Sequence, residues 1–355
     1  MKSRRAPRTG LHFPLVVFCA ALFLFGCFPF QAQQQAGSVT GRFEFGLIGD
    51  QQYTAEDEAK FPNLISDLND ANLVFVVHNG DFKGGVSPCS DQTFSRRKEA
   101  FQTSKHPFIY TPGDNEWTDC HDRRAGGHDP LERLAKLRDQ FFQGDESLGQ
   151  RTLRLTRQSN DPQYAKFREN VRWAYGGVLF VTLHMVGSNN NLGRTPQMDA
   201  EYRERNAANL VWIKQAFDLA RRDGNKGLMI ITQANPGFEN KWDLRRLEIP
   251  FGPMGPMGRP PEQRKQTGFD DFLAALETET LAYGKPVVLV HGDTHIFRID
   301  KPLVGSKSRR TIENFTRVET FGTPDVHWVR GIVDPSDANV FSFKPEIVKK
   351  NLVNH

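Results

Sequence analysis

The feature that most constrains the fold of this chain is a series of short apolar runs, each of which ends abruptly in small or polar residues. The runs cover residues 43–48, 73–77, 108–110, 178–183, 228–231 and 287–290. Continuous apolar runs of this length are typical of strands that are buried on both faces of a sheet. Between some of them, apolar residues recur at helical spacing, as in Leu131, Leu134, Leu137 and Phe141. This alternation predicts an α/β fold in which helices cover a largely parallel sheet.

Polar residues that can bind ligands follow the last apolar residue of several runs. They are Asp50, Asp81, Asp114, Gln233, Asp293 and His295. In open α/β sheets, ligands bind beyond the carboxyl ends of the strands, so the fold predicts that these side chains meet at one edge. A single aspartate would carry little information, because aspartate is a common turn residue. Four aspartates in the same relation to four strands predict a shared acidic site.

The amino-terminal segment has the composition of an export signal. Four basic residues precede an apolar run over residues 15–28, which is too short to span a bilayer comfortably. A secretion signal within residues 1–36 predicts a periplasmic or secreted protein, and lipid attachment at Cys27 is the alternative. In either case the mature chain is expected to have no transmembrane span.

The charge of the mature chain argues against nucleic-acid binding. Residues 1–36 contain four of the 46 basic residues and none of the 42 acidic ones, which leaves 42 of each sign. Neutralising the phosphates of a nucleic acid needs an excess of Lys and Arg. No nucleic-acid partner is therefore expected.

Cysteine usage agrees with export. Cys19 and Cys27 lie in the signal, so only Cys89 and Cys120 remain in the mature chain. In an oxidising compartment two remaining cysteines commonly form a disulfide, and two buried free thiols are the alternative.

Five short motifs occur in order at the ends of the apolar runs. They are Gly49-Asp50-x-Gln52, Gly80-Asp81, Gly113-Asp114-Asn115-Glu116, Gln233 and Gly292-Asp293-Thr294-His295. Their order, spacing and position over residues 42–300 resemble those of the calcineurin-like metallophosphoesterases. The resemblance implies an α/β fold of two packed mixed β-sheets flanked by helices, and a two-metal site that hydrolyses phosphoesters. We expect one such domain over residues 41–345, with insertions at about 144–170 and 234–267.

The ligands of the family's metal site are carried over position by position. By resemblance, the first metal would be surrounded by Asp50, Gln52, Asp81 and His295. Asp81 would bridge to a second metal, whose other ligands would be Asp114, Gln233 and Asp293. Gln52, Gln233 and Asp293 stand where the family has histidine. The resemblance implies two divalent ions. Because the site would present oxygen almost throughout, we expect Mn²⁺, Mg²⁺ or Ca²⁺ rather than zinc or iron.

The resemblance also implies catalytic roles. Asn115 stands where the family has a histidine that assists the leaving group; an amide cannot transfer a proton but can donate a hydrogen bond to a phosphoryl oxygen. His295 is the second predicted catalytic residue. The expected substrate contacts are Asn115, Asn189 and His291, and the candidates for a replacement acid are His78, His184 and His291. The expected activity is hydrolysis of a small-molecule phosphomonoester or phosphodiester, and a catalytically inactive binding protein is the alternative.

Overall fold

The computed structural model describes Met1 and residues 41–238 and 267–352. Apart from Met1, the predicted signal over residues 1–36, with Cys27, lies outside these ranges, as does most of the predicted insertion over 234–267. The other predicted insertion, over 144–170, holds one short strand and two single 3-10 turns, Gln158–Asn160 and Pro162–Tyr164.

The described residues form twelve strands in two mixed sheets. In chain order they are β1 (Phe43–Ile48), β2 (Val76–His78), β3 (Phe108–Tyr110), β4 (Thr156–Arg157), β5 (Val171–Tyr175), β6 (Val178–Thr182), β7 (Gly227–Ile231), β8 (Val287–His291), β9 (Arg298–Asp300), β10 (Phe315–Glu319), β11 (Trp328–Val333) and β12 (Phe341–Glu346). The first sheet has the order β12-β11-β1-β2-β3, and the second has the order β4-β5-β6-β7-β8-β10-β9. Strands β1, β2 and β3 are parallel, as are β6, β7, β8 and β10.

Helical segments connect these strands. Among the described residues they are α1 (Ala55–Asp70), α2 (Asp91–Gln102), α3 (Pro130–Phe141), the single turn α4 (Gly187–Asn190), α5 (Pro196–Arg222) and α6 (Asp270–Tyr283). Helix α1 begins directly after the first predicted motif, where Thr54 and Asp57 form a capping box. None of the helices described here has the length and apolar character that crossing a membrane requires.

The sheets pack face to face between two layers of helices. Phe45 and Phe75 from the first sheet meet Phe180 from the second, with ring centroids 5.5 and 5.1 Å from that of Phe180. Helices α1, α2 and α3 cover the outer face of the first sheet, and α5 and α6 cover that of the second. The predicted architecture of two packed mixed sheets flanked by helices is therefore confirmed.

Candidate functional site

The loops after five strands meet through direct hydrogen bonds. The backbone N–H of Asp293, after β8, lies 3.1 Å from each carboxylate oxygen of Asp50, after β1. Asp81, after β2, accepts at Oδ1 from the backbone N–H of Asn115 (3.0 Å) and at Oδ2 from Gln233 Nε2 (3.1 Å). Residues that lie far apart in sequence, and on both sheets, are thereby brought together at one edge.

A tyrosine that was not among the predicted residues lies at the centre of this group. The Tyr53 hydroxyl lies 2.9 Å from Asp81 Oδ2 and 3.3 Å from Asp50 Oδ1, and it accepts a hydrogen bond from Asn115 Nδ2 (2.9 Å). Its ring packs edge-on against the His295 imidazole, with ring centroids 5.0 Å apart. The only sequence signal for Tyr53 is its place three residues after Asp50 at a strand end.

The turn after β6 supports Asp114 and Gln233. Ser188 Oγ donates to Asp114 Oδ2 (2.7 Å), and the Gly187 N–H donates to Gln233 Oε1 (2.6 Å). Ser188 Oγ also lies 3.2 Å from Asp119 Oδ1, so two carboxylates share this hydroxyl. The turn thus holds two members of the second set of predicted ligands, Asp114 and Gln233.

His295 closes the group on the solvent side. Its side chain is 26 % exposed, its Nε2 lies 3.5 Å from Asp50 Oδ1, and its Nδ1 lies 3.0 Å from the Thr323 carbonyl oxygen. Burial lowers the pKa of His295 and the Asp50 carboxylate raises it, and the result lies above the ordinary value. The imidazole therefore holds a proton more readily than a free histidine does.

Backbone strain is concentrated in the predicted ligands. Five of them have a left-handed φ: Asp50 (52°), Gln52 (64°), Asp81 (57°), Asp293 (81°) and His295 (65°). Such conformations cost about 1–3 kcal/mol each in a non-glycine residue and cluster at functional sites, where the surrounding structure holds them. The strain is independent support for a functional role of these loops.

Each of the four aspartates directly follows a glycine, and two of these glycines make room for aspartates of other loops. A Cβ at Gly113 would lie 1.9 Å from Asp81 Oδ1, and a Cβ at Gly292 would lie 1.8 Å from Asp50 Oδ2. Both distances are far inside van der Waals contact. The glycine of one motif is therefore required to seat the carboxylate of another.

Burial and crowding raise the pKa values of the acidic residues. Burial, and then the charges of Asp114 and Glu116, raise the pKa of Asp81 well above its usual range. Burial, and then the charge of Asp119, raise the pKa of Asp114 to about 8. Burial is also the largest cause that raises the pKa of Asp293 to about 6. Without a cation, the group therefore holds protons near neutral pH.

A buried pair of charged residues lies behind Asp81. Glu116 accepts from the Phe82 N–H (2.9 Å) and the Gly113 N–H (3.1 Å), so its carboxylate ties two motif loops together. Lys83, which the sequence places in a polar loop, is fully buried, and its Nζ donates to the Gly84 carbonyl oxygen (2.9 Å). Burial lowers the pKa of Lys83 to about 8. Lys83 is therefore shielded from solvent beside the site.

Several predicted contacts are engaged elsewhere. His291 is fully buried, with its Nδ1 2.7 Å from the Gly292 carbonyl oxygen, so it does not reach a surface where a substrate could bind. Both ends of the Asn189 amide bond to backbone groups, at 2.9 and 2.8 Å. His78 and His184 are also fully buried, and each packs against aromatic rings. None of the three histidines is placed to protonate a leaving group.

Cys89 and Cys120 are joined, as predicted. The Cys89–Cys120 disulfide links the loop after β2 to the segment after β3. Both sulfur atoms lie 3.7 Å from the carbonyl oxygen of Asn115. The disulfide therefore supports the loop that carries Asp114 and Asn115.

The predicted metal ligands have the chemistry that suits a hard divalent cation. Within residues 41–238 and 267–352, no group of three or more His, Cys, Asp or Glu side chains is arranged to hold a metal ion. The carboxylate oxygens are instead satisfied by N–H and O–H donors, Tyr53 among them. Gln52 Oε1 is buried without a hydrogen-bond partner among these residues, and it is an acceptor that a cation could satisfy. The predicted ligands have the oxygen atoms and the negative charge that a hard divalent cation requires. Their side chains would have to rotate to share an ion.

Comparisons with known proteins give weak likenesses. No protein-family model matches the sequence, and no curated protein matches it. PhoD has a TM-score of 0.48 at 11 % identity, over 83 % of this chain and 64 % of that one, which is under two thirds of its length. GAP50, the anchor in the inner membrane complex of Plasmodium, has a TM-score of 0.44 at 10 % identity, over 87 % and 90 % of the two chains. Vacuolar protein sorting 29 from Cryptosporidium parvum has a TM-score of 0.29 at 10 % identity, over 86 % and 97 %. At these scores no conclusion about activity is drawn from them.

Proposed function

We propose that this chain is an exported, metal-dependent hydrolase of small-molecule phosphoesters. The observation that carries the proposal is the meeting of Asp50, Asp81, Asp114 and Asp293, from four strand ends, in one hydrogen-bonded and electrostatically coupled group. The resemblance of the motifs to metallophosphoesterases supports it. The signal-like amino terminus and the disulfide support export.

In this proposal, different residues of the site would bind the cations and the phosphoryl group. The aspartates, with Gln52, Gln233 and His295, would hold the cations, in the same two sets that the motifs imply. When bound, divalent cations would neutralise the carboxylates, draw charge from the phosphoryl oxygens and favour ionisation of an attacking water. The Asn115 amide, fixed by its hydrogen bond to Tyr53, has a second N–H with which to bind a phosphoryl oxygen.

The substrate should have a stable leaving group. General acid catalysis contributes about 10²–10⁴-fold to a rate, and Asn115 cannot provide it. His78, His184 and His291 are buried and cannot replace it. The lack of a general acid at this position would slow hydrolysis least for an ester whose leaving anion is stable without a proton, such as an aryl phosphate.

A non-catalytic binding protein is the second candidate. It is favoured by the Tyr53 hydroxyl, which lies within hydrogen-bond distance of both Asp50 and Asp81 and can donate its one proton to either carboxylate without a cation. In that case the site would bind a cation without turnover.

One assay separates the two candidates. Protein treated with a chelator is given Mn²⁺, Mg²⁺ or Ca²⁺ and tested on p-nitrophenyl phosphate, bis(p-nitrophenyl) phosphate and the slower-leaving phenyl phosphate. We expect cation-dependent hydrolysis that is at least about 10-fold faster for the nitrophenyl esters, because Asn115 stands at the position of the family's acid and cannot protonate the leaving group. Cation binding without turnover would support the binding protein, and the absence of both would contradict both candidates.

Tyr53→Phe tests the residue at the centre of the group. The change keeps the ring against His295 but removes the hydroxyl that contacts Asp81 and Asn115. We expect kcat/KM to fall by about 10–100-fold, the usual effect of losing a group that orients ligands. Tyr175→Phe, which alters a tyrosine packed against Phe43, is the control. Unchanged kinetics for Tyr53→Phe would show that the hydroxyl plays no part in the site.

A further inference from the structure

The turn after β8 carries two site residues that are separated by one position. Asp293 and His295 both have a left-handed φ, of 81° and 65°. In this conformation the Asp293 N–H reaches both oxygens of Asp50, and His295 Nε2 faces Asp50 Oδ1. Two strained residues so close together need a contact that holds the turn, since each would be more stable in an ordinary conformation.

That contact comes from Glu319, the last residue of the neighbouring strand β10. Glu319 lies opposite His291 in the register of β8 and β10, and it is fully buried. Its Oε1 accepts a hydrogen bond from the Thr294 N–H (3.1 Å) and a second, short one from the Thr294 hydroxyl. Thr294 is the residue between the two strained positions, so both bonds act at the middle of the turn.

The remaining oxygen of Glu319 extends the contact to the next strand. Its Oε2 accepts from Arg298 Nε at 2.6 Å, at the start of β9. Hydrogen bonds that involve an ionised group are shorter and roughly twice as strong as neutral ones, and burial protects them from water. One carboxylate therefore ties the middle of the turn to β10 and β9.

We propose that Glu319 is a positioning residue, which acts through Thr294 to hold Asp293 and His295 in the site. None of the hydrogen bonds described for Glu319 joins it to Asp50, Asp81 or Asp114, so its effect on the site passes through the turn. The effect on catalysis rests on the proposed function, whereas the effect on the turn does not.

The test compares Thr294→Val, Thr294→Ser, Glu319→Gln and the double variant Thr294→Val/Glu319→Gln. Valine keeps the shape of threonine and removes the hydroxyl, and serine keeps the hydroxyl. The control is Glu346→Gln on β12, whose carboxylate also pairs with an arginine (Arg330, 2.6 Å) but contacts no site loop. Deuterium exchange at the amides of residues 293–295 is measured in the chelator-treated protein, and kcat/KM with Mn²⁺ on p-nitrophenyl phosphate is measured separately.

Thr294→Val and Glu319→Gln are expected to speed amide exchange in the turn about 10-fold, with the double variant close to either single one, because all three weaken the same contact between Glu319 and residue 294. Both single variants are expected to lower kcat/KM about 10–100-fold, and Thr294→Ser should stay within about 3-fold of the parent. Exchange at the parental rate in both Thr294→Val and Glu319→Gln, or equal losses in serine and valine variants, would overturn the proposal. If the parent protein hydrolyses no ester, the proposed function fails and the exchange data still decide the role of Glu319.

Discussion

Asp81→Asn is expected to lower kcat/KM for p-nitrophenyl phosphate by at least about 10³-fold, which corresponds to about 4 kcal/mol of transition-state stabilisation. Asp81 contacts Tyr53, Asn115 and Gln233 at once, and it would bridge the two cation positions. Asparagine has nearly the same shape but lacks the charge. The loss should therefore come from the chemistry of the site and leave the fold intact.

The measurement is steady-state kinetics of the variant at saturating Mn²⁺, together with its circular dichroism spectrum. Asp218→Asn is the control, because that aspartate is exposed on α5 and pairs with Lys214 and Arg221 of the same helix. A folded Asp81→Asn variant whose kcat/KM stays within about 3-fold of the parent would exclude the predicted site, since removal of an essential charge must lower kcat/KM by much more.

The metal-free protein is expected to lose stability between about pH 6.5 and pH 8, by about 2 kcal/mol. The folded-state pKa of Asp114 is raised to about 8, and that of Asp81 is raised as well, so the folded protein binds more protons than the unfolded chain in this range. The free energy of unfolding falls with pH wherever the folded state binds more protons. Above the raised pKa values the carboxylates would be charged, buried and mutually repelled.

A divalent cation should reverse this trend, because it neutralises the ionised carboxylates. We expect Mn²⁺ to raise the melting temperature more at about pH 8 than at about pH 6.5, and Asp114→Asn to weaken the pH dependence of the metal-free protein. The range starts at about pH 6.5 because of buried His78, whose pKa is lowered to about 3. At lower pH the unfolded chain binds a proton at this histidine that the folded protein does not, so His78 makes the stability rise with pH there. A metal-free protein whose stability rises over this range would contradict the predicted charge state.

The buried strands could be predicted because burial on both faces leaves a continuous apolar run. The predicted runs 43–48 and 108–110 coincide with β1 and β3. Strands β5 and β11 lack such runs and were not predicted. In β11 the run is broken by Arg330, whose guanidinium pairs with Glu44 and Glu346 on the two flanking strands. A search for apolar runs does not detect a strand in which a charged residue is paired with residues of the neighbouring strands.

The candidate site could be predicted only in part, for a related reason. The aspartates were recognisable because each stands at a strand end, which places it at the same edge as the others. Tyr53 and Lys83 could not be recognised from the sequence, because their roles depend on neighbours from other loops. The Tyr53 hydroxyl contacts Asp81 and Asn115, and Lys83 is buried near Glu116. His291 is a candidate because it stands at a strand end, but every residue of β8 is buried, and the His291 side chain is enclosed as well.

The fit of Gly113 around Asp81, and of Gly292 around Asp50, limits how this protein can be altered. Any side chain introduced at either glycine would push on a carboxylate supplied by a distant part of the chain, so the damage would appear far from the substitution. An engineer who wishes to change the proposed ion preference should therefore vary the predicted ligands that are not carboxylates, Gln52, Gln233 and His295, and leave the glycines unchanged. By the same reasoning, a lineage that loses one of these glycines can regain a working arrangement only by remodelling two loops in concert.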